Sequence, residues 1–190
     1  MILLNPGPVN VSERVRQALL RPDICHRESE FTELLHGIQA KLLKLFVPGA
    51  EADYAAVVLT GSGTAAVEAA VMSSLPQGKR MLVLNNGVYG ERISQMVGLY
   101  RLGVSELKYD WTMRPDPERL RLALRQHPEV QAVAMVHHET TTGLINPVKE
   151  IADVVDSQNR VFILDAVSAL AGEPLDIAGP HIYMVAGTSG

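Results

Sequence analysis

Short apolar runs of the kind that fill buried parallel strands recur along the chain, at Ala56 to Thr60, Met81 to Asn85, Val104 to Tyr109, Ala132 to His137, Val161 to Asp165 and Ile182 to Ala186. Between most of them lie stretches whose apolar residues repeat with helical spacing, among them Glu118 to Arg125 and Val148 to Val155. Strands alternating with helices predict an α/β domain with a mainly parallel sheet flanked by helices and wound with right-handed crossovers. Ahead of the first run, an arm containing Asn5-Pro6-Gly7-Pro8 leads into two further predicted helices, Ser12 to Leu20 and Phe31 to Phe46. No internal repeat, low-complexity segment or linker interrupts the pattern. The expected organisation is an N-terminal arm over residues 1–15 and an incomplete large domain over residues 16–190.

Composition narrows the partners. A length of 190 residues with 47% hydrophobic and 20% charged residues supports a sizeable core. A net charge of -4 with no block of like charges argues against a nucleic acid or a membrane surface, since either asks for a basic patch. A small-molecule site is the default that remains. Cys25 is the single cysteine and cannot form an internal disulfide, and Met1-Ile2-Leu3-Leu4-Asn5-Pro6 lacks a basic region or a long apolar one. A cytoplasmic location is expected.

Asp165 is the most informative residue. It is a lone carboxylate at the carboxyl end of the run Val161-Phe162-Ile163-Leu164, where open α/β sheets place ligand-facing groups. A carboxylate there can keep a pyridine nitrogen protonated; by itself it is more commonly a solvated strand end or a helix cap. The loop Gly61-Ser62-Gly63-Thr64 leads into Ala65-Ala66-Val67-Glu68, a strand-to-helix turn suited to an anion. Alone, this loop is equally a tight turn capped by Ser or Thr, and it lacks the third glycine of a dinucleotide loop and the lysine of a P-loop. Together the two features describe a cofactor with a phosphate at one end and a basic ring nitrogen at the other, which is pyridoxal phosphate. Val167 offers an apolar surface to one ring face, and Tyr89 in Asn86-Gly87-Val88-Tyr89-Gly90 offers a stacking partner to the other. The segment His137-His138-Glu139-Thr140-Thr141-Thr142-Gly143 invites a metal, but neighbouring strand residues point to opposite faces and no further His or Cys pair has ligand spacing, so no metal is expected. Its hydroxyls suit a phenolic oxygen, or else form a β-branched turn beside core histidines.

As a set, these segments resemble the class V aminotransferases of fold type I, and among them the branch that acts on 2-aminoethylphosphonate and pyruvate. The likeness is carried by Leu4-Asn5-Pro6-Gly7-Pro8, by Leu59 to Glu68, by Asn86-Gly87-Val88-Tyr89-Gly90-Glu91-Arg92, by His138 to Gly143 with Asn146-Pro147, and by Asp165-Ala166-Val167-Ser168. It implies the large domain of that fold, bound pyridoxal phosphate, a small-molecule amino donor and a keto-acid acceptor, and a homodimer. By position it implies that Ser62, Gly63 and Thr64 hold the phosphate, Tyr89 stacks on the ring, Thr140 reaches the phenolic oxygen, Asp165 pairs with the ring nitrogen as the catalytic carboxylate, and Val167 packs beneath the ring. The segment Cys25-His26-Arg27-Glu28-Ser29-Glu30-Phe31 is instead similar to the alanine- and serine-glyoxylate aminotransferases, which leaves the donor open between the two branches.

Such an enzyme needs a lysine to hold the cofactor as a Schiff base. Lys41, Lys44, Lys79, Lys108 and Lys149 all read as solvated. The resemblance places the lysine after the turn Gly187-Thr188-Ser189-Gly190, so it is expected immediately beyond Gly190, with a C-terminal small domain following. A non-catalytic binding module is the alternative of another class.

Overall fold

Apolar runs without polar alternation need cover on both faces, and in the computed structural model those at the centre of the sheet find it. The structure describes residues 2–179 and 182–188, which fall into two compact units, 2–60 and 61–188.

The first unit carries α1 (Glu13–Ala18), capped by Ser12 accepting from the Val15 N–H, and α2 (Ser29–Phe46). The strand expected at Ala56 to Thr60 is not formed. Residues 54–59 have no regular structure, and Val57, Val58 and Leu59 are exposed. A strand needs a neighbour for its N–H and C=O groups. None of the described strands pairs with Ala56 to Thr60, and the Ala56 carbonyl accepts instead from the Gln39 side chain at 2.8 Å.

The second unit begins with α3 (Gly63–Ser74) and contains β1 (Arg80–Asn85), α4 (Val88–Leu99), β2 (Gly103–Lys108), α5 (Pro117–Gln126), β3 (Val130–Val136), the short pair β4 (His138–Glu139) and β5 (Leu144–Ile145), α6 (Val148–Ser157), β6 (Val161–Asp165) and β7 (Met184–Ala186). Five strands form one parallel sheet in the order β2-β1-β3-β6-β7. This is the α/β class with the mainly parallel sheet that the sequence predicts, and five of the six apolar runs supply its five strands. The last is shorter than expected, because Ile182 and Tyr183 bond to the Ile177 and Phe162 carbonyls before the ladder begins.

Side-chain alternation assigns the faces. Met81, Val83, Ala132, Ala134, Val136 and Ile163 join one buried cluster with Val67 and Val71 of α3 and Ile93, Met96 and Val97 of α4. Leu82, Leu84, Val133, Met135, Phe162 and Leu164 are buried on the other face, where α6 packs on β6 and α5 packs on α6. Helix α6 suits that position because Val148, Ile151, Ala152 and Val155 share one side. Helix α5 starts cleanly: the Asp116 side chain accepts from the Glu118 N–H at 2.9 Å, and Pro117 sits where no N–H is needed.

The chain leaves β1 for β2 on one side and returns to β3 on the other, so the strand order reverses between β1 and β3. Crevices beyond the carboxyl ends of the strands at such a point are where open α/β sheets bind ligands. No helix among the described residues is long and apolar enough to cross a membrane.

Candidate active site

Asp165 closes β6, in register with Val136 of β3 and Ala186 of β7. Its carbonyl accepts from the His137 N–H at 2.8 Å, and the following Ala166 N–H donates to Ala186 at 2.9 Å, so the backbone is tied on both sides. Two residues beyond Ile163, its side chain points to the α3 and α4 face. The carboxylate is 8% exposed and accepts one hydrogen bond, from the Val167 N–H at 3.0 Å. Burial pushes the carboxyl up to about 6; the Val167 N–H opposes this, the Glu139 charge adds to it, and the Arg92 guanidinium opposes it. Among the described residues Asp165 forms no ion pair. A buried carboxylate so placed favours a cationic donor.

Helix α3 starts against the turn that follows Asp165. The Ser62 side chain caps it by accepting from the Ala65 N–H at 3.2 Å, which leaves its own hydroxyl hydrogen free to donate. A side chain at Gly63 would come within 2.5 Å of Val167 Cγ1, so the absence of one lets α3 approach Val167. The ladder begins with the Ala66 N–H donating to Ser62, so the Gly63 and Thr64 amides are first-turn donors that no helical carbonyl serves. Thr64 is exposed beside them.

Tyr89 lies in the first turn of α4, a helix the sequence analysis did not mark. Its ring packs on the same buried cluster as Val167, and the Arg92 guanidinium sits 4.9 Å from its centroid. The expected run of hydroxyls after β3 forms the tight turn of the β4–β5 hairpin. Thr141 donates to the Glu139 carboxylate at 2.6 Å and Thr142 to the Glu139 carbonyl at 3.2 Å, whereas the half-buried Thr140 hydroxyl makes no hydrogen bond among the described residues. Ser168 ties this hairpin to the turn after Asp165 by donating to the His138 carbonyl at 3.1 Å.

Buried polar groups brace the floor. Asn86 and Asn146 bond to each other at 2.8 Å, and Asn146 also donates to Val136 at 2.8 Å, which joins the end of β1 to the exit of the hairpin. His137 is buried with Nδ1 unpartnered among the described residues, and burial lowers its pKa. No group of three or more His, Cys, Asp or Glu side chains among the described residues is arranged to hold a metal.

The structure therefore brings Gly63, Val167 and Asp165 into one corner and Tyr89 and Thr140 to either side of Glu139. Ser189 and Gly190, where the sequence pointed to an adjoining lysine, lie outside the described residues. Of the lysines within the chain, Lys108 pairs with Glu106 and Lys149 with Asp153, and Lys41, Lys44 and Lys79 are exposed. Sequence reasoning missed Glu139 as more than a discarded metal ligand. Its only signal was a charged residue between an apolar strand and three threonines.

The family model "Aminotransferase class-V" matches residues 12–188. A 2-aminoethylphosphonate–pyruvate transaminase of Syntrophobacter fumaroxidans is 42% identical over 177 residues, which are 93% of this chain and 47% of that protein. Among solved structures, the pyridoxamine-pyruvate aminotransferase of Mesorhizobium loti superposes with a TM-score of 0.89 at 26% identity, over 99% of this chain and 47% of that one. An alanine-glyoxylate aminotransferase of a Nostoc species gives 0.85 at 28%, over 95% and 47%. The chain spans about half the length of the curated relatives it matches.

Proposed function

As the chain belongs to the class-V aminotransferase family, we propose that it forms the pyridoxal phosphate site of an enzyme that transfers an amino group from 2-aminoethylphosphonate to pyruvate, giving phosphonoacetaldehyde and alanine. The observation that carries the cofactor is the buried Asp165 carboxylate, which forms no ion pair among the described residues and faces the side of the sheet where α3 begins. Bound there, pyridoxal phosphate supplies an electron-accepting ring that stabilises negative charge on the substrate carbon that loses a proton.

The chain's own residues divide the remaining work. Ser62, Gly63 and Thr64 bind the phosphate through first-turn amides and hydroxyls at a positive helix end. Asp165 would hold a proton on the ring nitrogen, Val167 and Tyr89 would offer apolar surface to the ring, and Thr140 would donate to the phenolic oxygen. Replacing Thr64 by Ala is expected to weaken cofactor retention by about 1.5 to 3 kcal/mol, the range for a hydrogen bond to a charged acceptor. Equilibrium dialysis that finds unchanged affinity would reduce Gly61 to Thr64 to a plain turn.

The donor assignment is supported by the name of the 42% identical relative and by the segments that surround the cofactor. A glyoxylate branch is favoured by His26 to Phe31, in the other unit, and less specifically by the likeness to the Nostoc alanine-glyoxylate aminotransferase. Specificity constants for 2-aminoethylphosphonate, alanine and serine, each with pyruvate and with glyoxylate, decide between them. We expect 2-aminoethylphosphonate with pyruvate to lead, and a lead for serine or alanine with glyoxylate overturns the reading. The reading includes a homodimer, as the family resemblance implies, which light scattering checks, and a cytoplasmic location, the expectation drawn from the composition.

A further inference from the structure

We propose that Glu139 is a positioning residue for the cofactor site, a buried clasp that binds the first turn of α4 to the β4–β5 hairpin and thereby sets the Tyr89 ring and the Thr140 hydroxyl relative to each other. The inference rests on the cofactor reading above.

Glu139 is 0% exposed and belongs to no ion pair among the described residues. A carboxylate removed from water in that way is tolerated only where donors replace the water. Here every donor comes from a segment that carries a candidate cofactor contact. Oε2 accepts from the Tyr89 N–H at 3.1 Å and the Gly90 N–H at 3.4 Å, and Oε1 accepts from the Thr141 hydroxyl at 2.6 Å. The Glu139 carbonyl accepts from the Thr142 and Gly143 amides at 3.2 and 2.9 Å, closing the turn that presents Thr140.

Helix capping alone does not require this arrangement. A Ser, Thr or Asp at the cap position would serve the first turn of α4 locally. That position is Gly87, which makes no side-chain cap, and the acceptor is supplied 50 residues along the chain. A Cβ at Gly87 would sit on top of the Glu139 Cγ and Cδ atoms. The chain has thus given up the local cap to admit the distant one, and the distant one links the element after β1 to the element after β3. Those are the two sides of the crevice where the strand order reverses. The negative charge also suits the positive end of α4.

The test uses the full-length protein and reads pyridoxal phosphate affinity by equilibrium dialysis beside the melting temperature of the cofactor-free form. Glu139→Ala is expected to weaken affinity by roughly tenfold or more. Glu139→Gln should recover most of that loss, because its carbonyl oxygen can accept from Tyr89 and Gly90 while its amide donates to the Thr141 oxygen. In a Tyr89→Ala background, Glu139→Ala should cost distinctly less, since the ring it positions is gone. If Glu139→Ala does not fold, Thr141→Val takes its place, with an expected loss of roughly fivefold. A lower melting temperature with unchanged affinity overturns the proposal, as does an effect of the same size with and without the Tyr89 ring. Failure of the unaltered protein to bind pyridoxal phosphate rejects the cofactor reading itself, and this inference falls with it.

Discussion

Replacing Asp165 by Asn is expected to slow substrate deprotonation by about 3 kcal/mol or more in the barrier, the scale of losing a preorganised electrostatic partner, while making the cofactor-free protein more stable at neutral pH. The two effects have one cause. Burial raises the Asp165 carboxyl from its ordinary 3.8 to about 6. The folded protein therefore binds more protons than the unfolded chain between those values, so stability falls as pH rises through that window and the penalty is fully present above about 6. At about 1.4 kcal/mol per pH unit, the interval from 3.8 to about 6 amounts to about 3 kcal/mol. Asn keeps an oxygen for the Val167 N–H and carries no charge, so it escapes the penalty. Melting temperatures of the cofactor-free proteins should diverge between pH 4.5 and pH 7.5, with the Asn variant gaining at the higher value. A gap that does not widen with pH, or half-reaction rates near those of the unaltered enzyme, would remove Asp165 from its assigned role. A residue that destabilises the empty protein and is relieved by a cationic ligand is expected where function, rather than folding, selects the side chain.

What was legible in the sequence follows the physics of each segment. The runs at 81–85, 132–137 and 161–165 became strands because each lies between two others and is buried in the sheet, and the run at 104–109 did so at the edge, half-buried and paired with β1 alone among the described residues. Ala56 to Thr60 has the same composition, yet a ladder depends on a neighbour that composition does not report. Helix α4 escaped notice for a related reason. Its first residues are Val88-Tyr89-Gly90, weak helix formers after a glycine, and the group that satisfies its first turn is Glu139. Asp165 and the Ser62 to Thr64 turn could be read because a strand end and a helix start are local patterns. The crevice they face could not, since it exists only once β1 and β3 are adjacent and the chain reverses between them.

The packing of α3 on the turn after β6 provides the other large effect. Gly63→Ala is expected to destabilise the protein by about 1 to 3 kcal/mol, the range for an overpacked site, although alanine is ordinarily the better helix former by about 1 kcal/mol. The clash should win because the new Cβ would lie 2.5 Å from Cγ1 and 2.9 Å from Cγ2 of Val167, so neither methyl can turn away without the other turning in. Val167 is β-branched and stiff at χ1, and its own N–H is held by Asp165 at 3.0 Å, which leaves movement of α3 as the remaining relief. That movement would draw the Thr64 amide and hydroxyl away from the Asp165 corner, so cofactor affinity should fall along with stability. Removing the obstacle tests the cause. In the double variant Gly63→Ala with Val167→Ala, the loss should be smaller than the sum of the two single losses by about 1 kcal/mol or more, measured from urea melts. Strict additivity would mean that α3 and the turn after Asp165 do not constrain each other, and the close approach at Gly63 would then carry no weight in shaping the site.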